Sequence, residues 1–168
     1  MPFKQEVISS SALSLIYPAD GLPGYTRDEF IDALLREHET EVRRCLQRGA
    51  PKVQIDFTEA RLAVKIDPTG NLLNSFIDLN NLALSRFTED ERCLLGVHTC
   101  PGGDRDLTHS SDVDYAELLP GRFELKVGNF SIELAGERDP IHVLKILRQN
   151  RTLRQRVFVG VIAPIEPP

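Results

Sequence analysis

The segment Val97-His98-Thr99-Cys100-Pro101-Gly102-Gly103-Asp104 says most about how this chain folds, because a short apolar run ends there in a His-x-Cys pair and a glycine turn. In a β-strand, residues two apart point to the same side, so His98 and Cys100 can present an imidazole and a thiolate to one metal ion. Zinc is the natural candidate. Because zinc sites in proteins use three or four protein ligands, the rest of the chain must supply the others.

Similar β-rich apolar runs recur along the chain at intervals that are typical of strand–helix units. They predict five strands, which we place at Val7–Leu15, Val53–Phe57, Leu94–His98, Phe130–Leu134 and Val157–Ile162.

Helical segments with clear start signals lie between these runs. Thr26-Arg27-Asp28-Glu29 has the form of a capping box, and Asp139-Pro140 places a capping carboxylate before a proline at the first helical position. The predicted helices run from Thr26 to Gly49, Asn71 to Arg86, briefly after Thr88, Ser111 to Leu118, and Ile141 to Arg148. This alternation predicts an α/β fold of parallel strands with helical crossovers, either a doubly wound sheet or part of a (β/α)₈ barrel.

The composition is that of one globular domain spanning residues 1–168, with 41% apolar and 27% charged residues. The formal charge of −5 leaves no basic stripe for nucleic acid or for an anionic membrane surface, so we expect neither partner. No apolar run is long enough to span a membrane and no signal peptide is recognisable, which favours a cytoplasmic protein. Three cysteines, an odd number without the spacing of a secreted framework, are expected to be reduced thiols.

Polar residues cluster where the predicted strands end, which is the edge where parallel α/β sheets bind ligands. Gln54 and Asp56 share one face of the second strand, with Glu59 just beyond. On the fourth strand, Glu133 faces away from the apolar residues, and a buried carboxylate needs a cation. We therefore predict a catalytic zinc site formed by His98, Cys100 and Glu133, with one position open for a substrate.

Each of these residues also has a purely structural interpretation. Arg138 or Lys126 can neutralise Glu133, and Asp56 and Glu59 can form a surface turn or an ion pair with Arg61. The remaining candidate ligands and thiols have structural roles as their first interpretation, as helix, loop or small core residues: His38, His109, His142, Cys45 and Cys93.

Three segments, Gln54-Ile55-Asp56, Gly96-Val97-His98-Thr99-Cys100 and Ser131-Ile132-Glu133, resemble in order and spacing the carboxyl half of the cobalamin-independent methionine synthase family. His98-Thr99-Cys100-Pro101-Gly102-Gly103-Asp104 with Thr108-His109-Ser110 is similar to its single-barrel branch, the 5-methyltetrahydropteroyltriglutamate homocysteine methyltransferases.

The resemblance implies a (β/α)₈ fold and zinc-dependent transfer of a methyl group from a methyltetrahydrofolate-type donor to a thiol such as homocysteine. In the family, a His-x-Cys pair, a glutamate on the following strand and a later cysteine bind zinc. By resemblance, His98, Cys100 and Glu133 fall on the first three ligand positions. Asp56 falls on an aspartate that contacts the amino-acid substrate, and Glu59 is a candidate second polar contact.

Two departures from the family pattern shape these expectations. Asp56 is followed by Phe57-Thr58-Glu59 rather than by Glu-Pro, which leaves other thiols such as coenzyme M open as acceptors. No cysteine follows Cys100 to supply the fourth ligand. The resemblance thus predicts a partial, truncated barrel of five strands that lacks the first two strands and the last. Such a chain is completed by a homo-oligomer or a second chain, or is an inactive remnant or a non-catalytic binding module.

Overall fold

The computed structural model describes residues 3–99 and 113–162. Within these ranges the chain alternates strands and helices. The five strands are β1 Lys4–Ile8, β2 Lys52–Asp56, β3 Leu95–Thr99, β4 Asn129–Glu133 and β5 Arg156–Gly160. The seven helices are α1 Ser10–Ser14, α2 Arg27–Gln47, α3 Glu59–Ile66, α4 Asn71–Leu84, α5 Glu89–Arg92, α6 Tyr115–Arg122 and α7 Pro140–Asn150.

The strands form one sheet in the order β1-β2-β3-β4-β5, and all four neighbouring pairs are parallel. The predicted α/β class with helical crossovers is therefore confirmed. A doubly wound sheet would reverse its strand order at a switch point, and this sequential order contains no reversal among the described strands. The topology is consistent with a partial barrel-like α/β fold, in which crossovers of one hand place the helices on one face of the sheet.

The helix-covered face of the sheet carries the apolar core. Val53, Leu95, Val97 and Phe130 are at most 1% exposed, and they pack with residues of α3, α4 and α6. Because side chains alternate along a strand, the polar residues of the same strands point to the opposite face. We call that opposite side the open face; it comprises Lys4, Glu6, Ile8, Lys52, Gln54, Asp56, Gly96, His98, Asn129, Ser131, Glu133, Arg156, Phe158 and Gly160.

Local start and stop signals set most helix boundaries as predicted. Thr26 caps α2 through a complete capping box with Glu29, and Gly49 follows the helix with φ of +85°, a left-handed conformation that glycine adopts without strain. A second capping box begins α5 at Thr88. Asp139 directly precedes Pro140, and its side chain accepts a hydrogen bond from the backbone N–H of His142. This cap confirms the predicted start of α7.

The structure corrects the predicted secondary structure in three places. The first strand does not run from Val7 to Leu15, because β1 ends at Ile8 and the Ser9 hydroxyl caps α1 by accepting from the backbone of Ala12. Helix α3, over Glu59–Ile66, was not predicted. Helix α6 begins at the cap Asp114, past the predicted cap Ser111, which lies outside the described residues.

Two further expectations concern cysteines and the membrane. Cys45 is half-buried against the core, but Cys93 is exposed at the end of α5, so the prediction that Cys93 is a core residue was wrong. Both of these thiols are free. Among the described residues, no helix combines the length and the apolar character that crossing a membrane requires.

Candidate functional site

The carboxyl ends of β1, β2 and β3 bring two carboxylates and an imidazole together on the open face. Strand register pairs Ile8 with Asp56 and Asp56 with His98. Glu6 lies two residues before Ile8 and reaches the same point with its longer side chain. The Nδ1 atom of His98 is 3.5 Å from Oδ1 of Asp56 and 3.7 Å from Oε1 of Glu6. We call Glu6, Asp56 and His98 the carboxyl-edge cluster.

The cluster is arranged like a set of ligands. One potential ligand atom from each residue lies within 4.8 Å of the other two, and this is the one such group of three among the described His, Cys, Asp and Glu residues. Oxygen, oxygen and imidazole nitrogen donors together suit first-row divalent cations. A cation at this point would compensate two carboxylates whose oxygen atoms both lie near Nδ1 of His98.

Two buried atoms of the cluster lack hydrogen bonds. Nδ1 of His98 and Oδ1 of Asp56 are both buried and unpartnered in the described part of the chain, and their separation of 3.5 Å is too long for a good hydrogen bond. The side chains that carry them are still 28% and 33% exposed, so a ligand can reach them from the open face. Because a buried polar atom without a partner costs free energy, these two atoms favour a bound group between them.

Glu133, the predicted third zinc ligand, lies at the end of β4, on the strand next to His98 and on the same open face. Phe130, Ile132 and Leu134 are buried on the opposite face, as predicted. Oε1 of Glu133 accepts a hydrogen bond of 2.8 Å from the backbone of Gly136, so it caps the turn after β4. Neither Arg138 nor Lys126 forms an ion pair with Glu133 in the described chain.

The structure thus leaves the predicted ligand set partly assembled. His98 and Glu133 share the open face of adjacent strands, but Glu133 does not belong to the carboxyl-edge cluster. Cys100 and His109 lie outside the described residues, although β3 ends at Thr99, directly before Cys100. Zinc ligation by His98, Cys100 and Glu133 stays a prediction.

Glu59 does not lie in a surface turn, which was one structural interpretation of this residue. It begins α3 and is only 7% exposed. Its Oε1 accepts hydrogen bonds from the hydroxyl groups of Ser9, at 2.5 Å, and of Ser11, while Oε2 is buried without a partner. Burial raises the pKa of Glu59, the serine hydrogen bonds oppose that rise, and the charge of nearby Asp56 adds to it. Substrate contact by Glu59 stays a prediction.

Arg61, the alternative partner proposed for Asp56 and Glu59, pairs elsewhere. Its guanidinium lies 3.3 Å from Oε1 of Glu137 and donates a 2.6 Å hydrogen bond to the carbonyl of Val113. The guanidinium carbon also lies 4.9 Å from the ring centre of Tyr115. This buried pair ties α3 to the segments before α6 and α7, so the structural interpretation of Asp56 and Glu59 as partners of Arg61 is wrong.

A buried arginine binds the backbone of β3 and β4 near the candidate site. Arg122 is fully buried and donates to the carbonyls of Val97 and Ser131, at 3.0 and 2.7 Å, and to the hydroxyl of Tyr115 at 2.8 Å. Tyr115 in turn donates to the carbonyl of Thr99 at 2.8 Å. Burial lowers the pKa of Arg122 and raises that of Tyr115. The two side chains hold β3 in place on either side of His98.

Sequence reasoning missed Glu6, because the predicted first strand began one residue later, at Val7. The alternation of Lys4, Glu6 and Ile8 against Val7 is weak evidence for a strand, since only Val7 of this edge strand is buried. It also missed Lys4 and Lys52, which begin β1 and β2 on the open face. Their pairing in register becomes visible only once the two strands are aligned.

Comparison of the chain with protein-family models, with curated proteins and with solved structures finds no match.

Proposed function

We propose that this chain is a zinc-dependent methyltransferase that moves a methyl group from a methyltetrahydrofolate-type donor to a small thiol, of which homocysteine is the first candidate. The observation that carries the proposal is the position of His98. Its unpartnered Nδ1 faces two carboxylates at the carboxyl edge of a parallel sheet, and His98 is two residues before Cys100 in the sequence. The likeness of the His98–Cys100 and Ser131–Glu133 segments to the methionine synthase family suggests the reaction.

The residues fit a zinc ion at this edge. His98 and Glu133 project from adjacent strands onto the same face, and Cys100 follows the end of β3 by one residue. Imidazole, thiolate and carboxylate are the donors that zinc prefers, and three protein ligands leave a coordination position for substrate. Zinc, when bound, lowers the pKa of a thiol that coordinates it, so that thiolate exists at neutral pH.

The chain's own groups then have separate tasks. Asp56 and Glu6 place negative charge beside the site, which suits the ammonium group of an amino-acid thiol. Arg122 and Tyr115 hold the backbone of Val97 and Thr99, and with it the orientation of His98. In the proposed reaction the donor's N–C bond breaks, an S–C bond forms, and the thiol proton ends on the donor nitrogen.

Metal analysis of matched variants tests which residues hold the ion. The parent chain is expected to retain about one zinc per chain after dialysis, and Cys100→Ala, His98→Ala and Glu133→Gln are expected to lose it. Glu124→Gln, an exposed carboxylate near the amino-terminal ends of β3 and β4, serves as the control and should keep it.

The carboxyl-edge cluster supplies the competing ligand set. If Cys100→Ala keeps its zinc while Glu6→Gln loses it, the ion is held by Glu6, Asp56 and His98, and the proposed set is wrong. A parent chain that binds no zinc at all overturns the proposal at its first step.

Methyl transfer is then measured by mass spectrometry with methyltetrahydrofolate and either homocysteine or coenzyme M. Methylated product from the zinc-loaded parent, and none from Cys100→Ala, is the expected result, and the preferred thiol identifies the acceptor. A zinc-loaded chain that methylates neither thiol refutes the activity and favours a non-catalytic binding module.

A further inference from the structure

The amino-terminal half of the open face contains a pocket, away from the carboxyl-edge cluster. It has a volume of about 260 Å³, and its walls include Lys4, Lys52, Asn129, Ser131 and Phe158. Gly96 forms part of its floor, where a Cβ atom would lie 3.1 Å from the Cβ atom of Asn129, so glycine lets the Asn129 wall pack closely on the middle strand. The pocket is large enough for a small ligand with several polar atoms.

Both lysines of the pocket are held by neutral acceptors. Nζ of Lys52 donates to the carbonyl of Cys93 at 3.0 Å and to Oδ1 of Asn129 at 2.9 Å. Nζ of Lys4 donates to Oε1 of Gln54 at 2.6 Å. Neither ammonium group forms an ion pair within the described parts of the chain, although the protein as a whole carries five more acidic than basic residues.

A third cation completes the arrangement. Arg156 begins β5 on the open face, in register with Asn129, and has no carboxylate partner among residues 3–99 and 113–162. Burial lowers the pKa of Lys52, and the like charge of Arg156 lowers it further. The positive charges at this end of the sheet therefore repel one another without a counter-ion.

The cations at the pocket have N–H donors without acceptors. An ammonium group has three N–H donors, so Lys4 has two left and Lys52 has one. The guanidinium of Arg156 has five donors, and no hydrogen bond from them is present in the described structure. An anion with several oxygen atoms would use these donors and neutralise the repulsion, since charge-assisted hydrogen bonds of this kind are the strong ones.

We propose that this pocket, lined by Lys4, Lys52 and Gly96 and flanked by Arg156, the strand neighbour of its wall residue Asn129, binds a small oxyanion, namely a phosphate or carboxylate group of a ligand. An apolar ligand would leave the donors unsatisfied, and a cation would meet three like charges. The site lies apart from the proposed zinc ligands and does not depend on methyl transfer. Its ligand is the anionic part of a substrate or a separate metabolite of the same chemistry.

Competitive acetylation with inorganic phosphate as the first probe tests the proposal at the level of single residues. The intact chain is treated with a trace of acetic anhydride, and modification of each lysine is quantified by mass spectrometry. We expect phosphate to protect Lys4 and Lys52 saturably and to leave Lys145, on the exposed side of α7, unprotected. Succinate in place of phosphate distinguishes a phosphate site from a carboxylate site.

Variants locate the anion in a second measurement, titration calorimetry. Arg156→Gln should weaken binding of the protecting anion roughly tenfold, as should Lys52→Met, while Lys145→Met should not change it. Arg156→Gln changes an exposed side chain on an edge strand, so it keeps the test valid if Lys52→Met does not fold. The proposal is overturned if neither anion changes the labelling of any lysine. It is also overturned if Arg156→Gln leaves the binding of the anion unchanged.

Discussion

Replacing Glu59 by glutamine should reveal the cost of keeping a carboxylate buried behind the carboxyl edge. Glu59 is 7% exposed, accepts two serine hydrogen bonds on Oε1, and has no partner for Oε2. Glutamine preserves the shape and the acceptor oxygen and removes the ionisation. The variant therefore separates the charge of Glu59 from its packing.

The sign of the effect follows from the raised pKa of Glu59. Burial, the largest cause, raises the pKa above its ordinary value of 4.5, so the folded chain binds a proton more tightly than the unfolded chain does. The contribution to stability is present below pH 4.5 and is lost as the pH rises through the folded-state pKa. One proton corresponds to a slope of at most about 1.4 kcal/mol per pH unit. The free energy of unfolding of Glu59→Gln relative to the parent should thus increase with pH and then level off.

Urea unfolding of both proteins between pH 4 and pH 8 measures this difference. A constant offset is expected as well, because the amide of glutamine packs and forms its neutral hydrogen bonds, of about 1 kcal/mol each, differently from the protonated carboxyl group. Only the pH-dependent part is diagnostic. Glu41→Gln, on the exposed side of α2, is the matched control for loss of one carboxylate. A Glu59→Gln difference that stays flat, or that falls as the pH rises, refutes the reasoning.

Three further predictions concern the stability of the fold. Gly128→Ala should destabilise the fold by about 1–3 kcal/mol, because a Cβ atom there would meet backbone at 2.8 Å, whereas Gly160→Ala, with 3.6 Å of space, should be tolerated in thermal unfolding. Burial lowers the pKa of His38 below 6.5, so the parent should lose stability as the pH falls below that value, and His38→Leu should lack this loss in a pH series of urea titrations. Glu137→Gln removes the counter-charge of buried Arg61 and should cost about 3 kcal/mol in denaturant unfolding; an unchanged midpoint contradicts a contribution from the pair.

The parts of the fold that were predictable depend on local chemistry. Capping boxes at Thr26 and Thr88 use residues three apart, and the Asp139-Pro140 start uses adjacent ones, so each is visible in a short window of sequence. Apolar residues such as Leu95 and Val97 of β3 are buried under helices and recur at the two-residue period of a strand. These signals suffice for the order of elements and for the α/β class.

The parts that were missed depend on contacts between distant segments. The stretch from Ser9 to Ser14 follows β1 directly, and its conversion to helix depends on the Ser9 cap and on contacts of Ser11 with Asn80 and Glu59, which are far away in sequence. Glu6 belongs to an edge strand with little burial, so no periodic pattern marks it. Its role depends on the register between β1 and β2, which no local pattern encodes.

The open face is polarised along its strands, and this polarity explains how one surface can hold two unlike sites. Lys52 and Asp56 are four positions apart on β2, which is about 13 Å at the rise of a strand. Gln54 lies between them, receives a hydrogen bond from Lys4 and donates one to Glu6 at 3.0 Å. A neutral amide that accepts from the basic end and donates to the acidic end keeps the opposite charges from collapsing into one ion pair. The cationic pocket is thereby left without a counter-ion, and the carboxylates beside His98 remain available to a cation.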